Sequence, residues 1–112
     1  MSWEQAEFHC QGKGAHLASI FSAAENDFIM DLLPLDQNPW IGGNDLSSED
    51  TWMWTDGSKF FFTNWEAGEP KRKSVNSHCV CMVANNSVNQ YLGKWRNRDC
   101  TDSRRFVCKY KN

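Results

Sequence analysis

The chain of 112 residues has the length of one domain, and its 40% hydrophobic and 23% charged residues are ordinary globular proportions. Disordered and fibrous proteins are therefore excluded, and no apolar run reaches the ~18–20 residues of a membrane span. The formal net charge of −2 conceals a division. Residues 1–70 carry two basic and twelve acidic residues, a balance of −10, whereas residues 71–112 carry ten and two, a balance of +8.

Two helices are predicted before any strand. Ser2 and Gln5 form a capping-box pattern at the start of the first helix, and Gly12 and Gly14 end it. Ser22 and Glu25 repeat the pattern at the second helix, whose predicted apolar stripe consists of Phe28, Ile29, Leu32 and Leu33. Pro34 is expected to stop this helix, because proline cannot continue a helical hydrogen-bond ladder.

Short strands and turns are predicted for the rest of the chain. Aromatic and β-branched runs favour strands at residues 40–41, 52–54, 60–62, 79–84 and 105–110. Residues 63–78 form a long polar stretch, and a loop of that length in a small domain is usually functional. Helices followed by a run of strands are typical of an α+β fold.

Five cysteines are unusual in so short a chain. They favour a disulfide-stabilised extracellular domain, because small domains outside the cell often depend on cross-links. The alternative is that the thiols are reduced and packed as small hydrophobes. An odd number leaves at least one cysteine without a partner in the same chain.

The ordered motifs resemble those of a C-type lectin-like domain. They are Trp3-Glu4-Gln5-Ala6-Glu7 before Cys10, Trp40-Ile41-Gly42-Gly43, Trp54-Thr55-Asp56-Gly57-Ser58, Asn64-Trp65, Gly68-Glu69-Pro70, Cys79, Trp95, Cys100 and Cys108. The resemblance implies one α+β domain over residues 1–112, with two helices, two small antiparallel sheets and a long loop. Family members usually begin with a strand before the first helix. We expect that strand to be missing here.

The resemblance also implies the disulfides Cys10–Cys108 and Cys79–Cys100, which leaves Cys81 as a free thiol. Because side chains alternate along a strand, Cys79 and Cys81 point to the same face. Two outcomes follow from this placement. Cys81 is either buried and inert, which we favour, or it competes with Cys79 for Cys100.

The calcium ligands of sugar-binding family members are largely replaced. The Glu-Pro-Asn motif falls on Glu69-Pro70-Lys71, and the Trp-Asn-Asp motif falls on Trp95-Arg96-Asn97. Ser77 occupies a further carboxylate position, so Glu69 is the only unchanged ligand. At a second calcium position Asp45 and Glu49 match, but Arg72 and His78 replace acids. Calcium prefers six to eight oxygen ligands, so we expect no cofactor and regard calcium as disfavoured.

The predicted function is non-catalytic recognition outside the cell, by a secreted protein or a receptor ectodomain. The expected partner is an anionic, for example sulfated, glycan, since clustered cations attract such ligands. The predicted contacts are Glu69, Lys71, Arg72, Lys73, Arg96, Asn97 and Arg98. The alternatives are a cell-surface protein on the same face and a calcium-dependent lectin with altered ligands. A further alternative is that the acidic and basic halves interleave and neutralise each other.

Other chemistry is weakly indicated. The chain has no nucleophile elbow and no phosphate-binding glycine loop, so an enzyme is not expected. The run His78-Cys79-Val80-Cys81 lacks the remaining ligands of a closed zinc site. Nucleic acid is not expected as a partner, and a membrane would be reached only through a parent receptor. Asn85 begins a glycosylation sequon.

Overall fold

The computed structural model describes residues 1–33, 38–71, 76–84 and 89–110. Its helices are α1 Trp3–Gly12 and α2 Ala23–Leu32, with a short 3₁₀-helix at Asn89–Tyr91. Its strands are β1 Ala15–Leu17, β2 Trp40–Asn44, β3 Met53–Trp54, β4 Cys79–Met82, β5 Trp95–Arg98 and β6 Cys108–Tyr110. The predictions for Pro34, Arg72, Lys73 and Asn85 lie outside the described residues. No described helix has the length and apolar character needed to cross a membrane.

Helix α1 begins as predicted. The Ser2 hydroxyl accepts a hydrogen bond from the Gln5 amide, and the Gln5 side chain accepts one from the Ser2 amide, which completes the capping box. The buried face of the helix consists of Trp3, Ala6, Glu7 and Cys10. Its apolar members lie three and four residues apart, as on one face of a helix, and Glu7 is the polar member.

Helix α2 differs from its predicted amphipathic pattern. Its Ser22 cap is present, but Phe28 and Leu32 are 62% and 63% exposed, and Ile29 is the buried member of the predicted stripe. The buried polar residue is Asn26, which accepts a hydrogen bond from the Trp95 indole at 2.8 Å and donates one to the Gly93 carbonyl at 3.0 Å. These two bonds satisfy the buried amide, so a polar residue replaces part of the apolar stripe.

The strands form two small antiparallel sheets, as predicted. One sheet pairs β1 with β6, and the other has the order β3-β2-β4-β5. The predicted strand at residues 60–62 is wrong, because this segment has no regular structure. Phe60 and Phe62 pack against the core individually, and Phe61 is exposed.

Aromatic rings surround the fully buried Trp95, which belongs to a hydrophobic cluster with Ile41 and Val80. Trp54, Trp65, Phe60 and Phe62 lie with ring centroids 5.4 to 6.1 Å from it, in edge-to-face arrangements. This geometry is favourable for aromatic pairs and accounts for many of the tryptophans in the sequence.

Both disulfides implied by the resemblance are present. Cys10 is bonded to Cys108 and Cys79 to Cys100, which tie α1 to β6 and β4 to the segment after β5. Cys81 is the free cysteine among the described residues, and it is buried. It lies on the same side of β4 as Cys79, in the core cluster that both disulfides border.

Candidate functional site

The long loop lies against strand β5. The Glu66 amide donates a hydrogen bond to the Trp95 carbonyl at 3.0 Å, and the Trp95 amide donates one to the Asn64 carbonyl at 2.9 Å. The Glu69–Pro70 peptide bond is cis. These contacts bring the loop residues beside Arg96, Asn97 and Arg98. We call the surface formed by residues 64–71 and 96–98 the long-loop face.

Arg96 and Glu66 form a bidentate ion pair on this face. The Arg96 Nε donates to Glu66 Oε2 at 3.0 Å, and its second guanidinium nitrogen donates to Oε1 at 2.7 Å. The hydrogen bond to Glu66 raises the pKa of Arg96 above its ordinary value. Arg96 therefore remains charged, but its fork of donors is directed at a carboxylate of the same chain.

Glu69 is held inside the same network. Its Oε1 accepts hydrogen bonds from the Arg98 guanidinium at 3.2 Å and from the Asn97 amide at 3.1 Å. The Glu69 side chain is only 2% exposed. This placement directs the Glu69 carboxylate at donors of the same chain, and the ligand contact predicted for Glu69 remains a prediction.

Asn97 fastens the end of the long loop to β5. Its side-chain oxygen accepts a hydrogen bond from the Lys71 amide at 2.9 Å, and its nitrogen donates to the carbonyls of Lys71 and Ser77 at 2.6 and 3.0 Å. Asn97 is buried, and these bonds give it a structural role, while its predicted ligand contact remains a prediction. The Lys71 side chain, in contrast, is exposed.

The second calcium position is also engaged internally. Asp45 is buried, and its Oδ1 lies 2.8 Å from His78 Nδ1, while its Oδ2 accepts a hydrogen bond from the Asp50 amide at 2.8 Å. Glu49 is exposed on the neighbouring turn. The histidine therefore lies against the carboxylate that would otherwise face an ion.

The donor set does not fit calcium at either position. A calcium site needs several oxygen ligands that point at one centre. Here the Glu69 carboxylate is bound by a guanidinium and an amide, and both Asp45 oxygens have partners within the chain. Within the described ranges, no three His, Cys, Asp or Glu side chains converge on a common metal centre.

Ion pairs join the acidic and basic halves of the chain in space. Among the lysines and arginines that the structure describes, three from the second half pair with acids of the first half: Arg96 with Glu66, Arg98 with Glu69, and Lys109 with Glu25. The interleaving alternative is therefore correct for these three pairs. On the described long-loop face, Lys71, Arg96 and Arg98 oppose Glu66 and Glu69, which leaves an excess of +1.

Sequence reasoning missed which acid pairs with which arginine. The spacing of Arg96 and Arg98 does indicate that both side chains project from one face of β5, since alternate residues share a face. The two glutamates lie 30 and 29 residues away along the chain, however. Nothing local predicts the docking of the loop that brings them together.

The sheet topology, the two disulfides and the long loop define a C-type lectin-like domain. The Lectin C-type domain family matches residues 1–110, and the chain belongs to this family. Disulfides persist in oxidising compartments, and the domain is extracellular.

Two relatives illustrate the similarity. The galactose-specific lectin nattectin of Thalassophryne nattereri is 37% identical over an alignment of 112 positions. The alignment covers 96% of this chain and 67% of that protein. Ladderlectin of Oncorhynchus mykiss is 36% identical over 106 residues, which cover 91% of this chain and 53% of that protein. The chain thus spans between about half and two thirds of these proteins.

Two solved structures share the fold. The carbohydrate-recognition domain of cow CD23 has a TM-score of 0.85 at 30% identity, covering 96% of this chain and 78% of that one. A calcium-independent type II antifreeze protein has a TM-score of 0.84 at 31% identity, covering 96% of this chain and 77% of that one.

Proposed function

We propose that this domain is a non-catalytic recognition module that works without calcium. The observation that carries the proposal is the state of Glu69, whose carboxylate is bound by Arg98 and by the Asn97 amide. A cation entering there would have to displace a guanidinium and would meet further positive charge from Arg96. Similarity to an antifreeze protein described as calcium-independent supports the same conclusion.

Thermal unfolding in calcium tests this proposal. A ligand at 100 times its dissociation constant stabilises the folded state by about 2.7 kcal/mol, which shifts the melting temperature of a small domain by several degrees. We expect equal melting temperatures in millimolar calcium and in excess chelator, with magnesium as the ionic-strength control. A rise of several degrees in calcium alone would contradict calcium independence and support the calcium-dependent alternative.

The proposed ligand is an anionic glycan bound at the long-loop face. Relatives named as lectins support a glycan, and the exposed ammonium of Lys71 together with the local excess of +1 supports an anion. Since Arg96 and Arg98 are paired with glutamates, we assign them to orienting the loop. The direct contact then falls to Lys71 and to its sequence neighbours Arg72 and Lys73, whose structure is not described.

Binding to a sulfated polysaccharide tests the ligand class. We expect binding at low salt that weakens as salt rises, because exposed charges are screened, and much weaker binding to neutral mannose or galactose. Lys71→Glu should reduce the affinity several-fold more than Lys13→Glu, which makes the same charge change on the exposed end of α1. Equal effects of the two variants would show that only net charge matters and would remove Lys71 from the site.

A protein partner is the second candidate. The internal pairing of both arginines favours it, because a nearly neutral face with half-buried ion pairs resembles a protein-binding surface more than a strongly cationic one. If polysaccharide binding is absent at low salt, the protein-binding function becomes the better assignment for the same face.

A further inference from the structure

A pocket of about 400 Å³ lies between helix α1 and the connection of β2 to β3. One wall is a single face of the helix, because Trp3, Glu7 and Gln11 are spaced four residues apart. The opposite wall includes Leu46 and Met53, which are 54% and 41% exposed. A volume of this size is within the range of sites that enclose a small ligand or a side chain.

The charged group of this pocket is Glu7. Its Oε2 accepts a hydrogen bond from the Gln11 side chain at 2.6 Å and lies 2.6 Å from His16 Nδ1, and its Oε1 accepts one from the Leu17 amide at 2.9 Å. Burial opposes ionisation, but these bonds outweigh it and hold the pKa of Glu7 below its ordinary value of 4.5. Glu7 is therefore ionised at neutral pH. The Gln11 and Leu17 donors are neutral and do not cancel its charge, and His16 is charged only when it is protonated.

Further acidic residues lie beside the pocket. Glu4 precedes Glu7 by three residues, so it lies on the same side of α1. Glu49 and Asp50 follow Ser47, a lining residue, in the turn after β2. All three of these acids are exposed. Among the described residues that line the pocket there is no lysine or arginine. The pocket thus combines an apolar wall with an excess of negative charge.

We propose that this pocket receives an arginine side chain from a basic segment of a partner protein. The aliphatic part of an arginine packs on apolar surface while its guanidinium stays at a polar end, which matches Leu46 and Met53 on one wall and Glu7 on the other. The guanidinium replaces the exposed Gln11 side chain at Glu7 Oε2, because a charged donor forms a stronger hydrogen bond with a carboxylate than a neutral amide does. The acids beside the pocket attract the remaining bases of the segment.

The pocket is separate from the long-loop face. The described residues that line it include none of residues 64–71 or 96–98, and neither Met1 nor any part of β6. The proposal therefore does not depend on the glycan proposed for the long-loop face. A domain with both surfaces would hold an anionic ligand at one of them and a basic protein at the other.

Titration of the domain with a peptide of alternating glycine and arginine tests the proposal. The comparison peptide contains citrulline in place of arginine, which keeps the shape of the side chain but removes its charge. At low salt, the arginine peptide should shift the backbone amide NMR signals of Ser47 and Thr55 but not that of Lys71. The citrulline peptide should bind at least about 10-fold more weakly, because it forms no charge-assisted hydrogen bond. Equal affinities of the two peptides would overturn the proposal.

Gln11→Lys and its control Gln90→Lys separate the pocket from the net charge. Both variants add one positive charge at an exposed glutamine. Only Gln11→Lys places an ammonium four residues after Glu7, where it pairs with the carboxylate and supports the helix. Gln11→Lys should weaken binding of the arginine peptide about 10-fold or more without loss of stability, whereas Gln90→Lys should change it by less than about 2-fold. Equal effects of the two variants would contradict an arginine site at Glu7.

Leu46→Ser tests the apolar wall, and Phe61→Ser is the control because it removes a similarly exposed apolar side chain elsewhere. Leu46→Ser should weaken binding several-fold, and Phe61→Ser should leave it unchanged. A parent domain that does not bind the arginine peptide at low salt would overturn the proposal, as would NMR shifts confined to the long-loop face. Self-association in sedimentation equilibrium that Gln11→Lys abolishes would also overturn it, since a second copy of the chain would then occupy the pocket.

Discussion

Arg98 donates a hydrogen bond to Glu69 across the junction of strand β5 and the long loop, at a distance of 3.2 Å. The Glu69 side chain is almost fully buried, whereas the Arg98 side chain is 23% exposed, so a permanent protein cation neutralises a carboxylate that would otherwise need a counterion. The fold thus keeps its long loop closed with its own charges.

Arg98→Ala should lower the free energy of unfolding by about 1–3 kcal/mol, because the buried Glu69 carboxylate loses the hydrogen bond from the guanidinium and keeps the one from the Asn97 backbone amide. Urea unfolding at neutral pH measures the change. Lys71→Ala is the matched control, since it removes an exposed cation and should change the stability by less than about 0.5 kcal/mol. Equal losses in the two variants would contradict a specific role for the Arg98–Glu69 pair.

Asn97→Asp should loosen the long loop even though it introduces a calcium-type ligand. An ionised aspartate cannot donate to the carbonyls of Lys71 and Ser77, which the Asn97 amide contacts at 2.6 and 3.0 Å. We expect a loss of about 2 kcal/mol or more and faster hydrogen exchange at the Lys71 amide. Full stability without calcium would show that these hydrogen bonds matter little, and recovery of stability by calcium would contradict the poor fit of the site.

Stability should fall in acid partly through Glu7 and Asp56. Burial alone would raise the pKa of Glu7, but hydrogen bonds from Gln11, Leu17 and His16 outweigh it and lower the pKa below the ordinary value of 4.5. For Asp56, bonds from Ser19 and Ser58 likewise outweigh burial and lower the pKa below 3.8.

Both carboxyl groups have a lower pKa in the folded state than in the unfolded state. Their contribution to the free energy of unfolding is therefore complete at a pH above the unfolded-state pKa, and it is lost as the pH falls through the folded-state pKa. Urea midpoints should therefore drop below about pH 4.5. Glu7→Gln should lower stability at neutral pH and flatten this acid slope. A variant with the parent's slope would exclude Glu7 as a source of the pH dependence.

Cys81 should be unreactive in the folded protein. Burial raises the pKa of its thiol, which disfavours the reactive thiolate, and the side chain is inaccessible. Alkylation of the native domain should give no label, and alkylation after unfolding without reductant should label Cys81 alone. Label on Cys79 in the second experiment would mean that Cys81 forms the bond to Cys100.

Several features could be predicted from the sequence because their causes are local or lie in an ordered set of motifs. The Ser2–Gln5 cap depends on residues three apart, and alternation along β4 places Cys79 and Cys81 on one face. The disulfide partners followed from the resemblance, not from the spacing of the cysteines. The replacement of calcium ligands by Lys71 and Arg96 was likewise visible once the motifs were aligned.

Only the tertiary structure decided how the charges and apolar faces are used. Arg96 and Arg98 suggested a positively charged site for an anionic ligand, but the long loop brings Glu66 and Glu69 against them. Asn97 likewise turns inward and donates a hydrogen bond to the Lys71 carbonyl. Helical periodicity identified Phe28 and Leu32 as apolar, but their exposure depends on what packs beside α2. A sequence pattern records what a side chain can bury or bind, whereas its partner is selected by contacts between segments far apart in the chain.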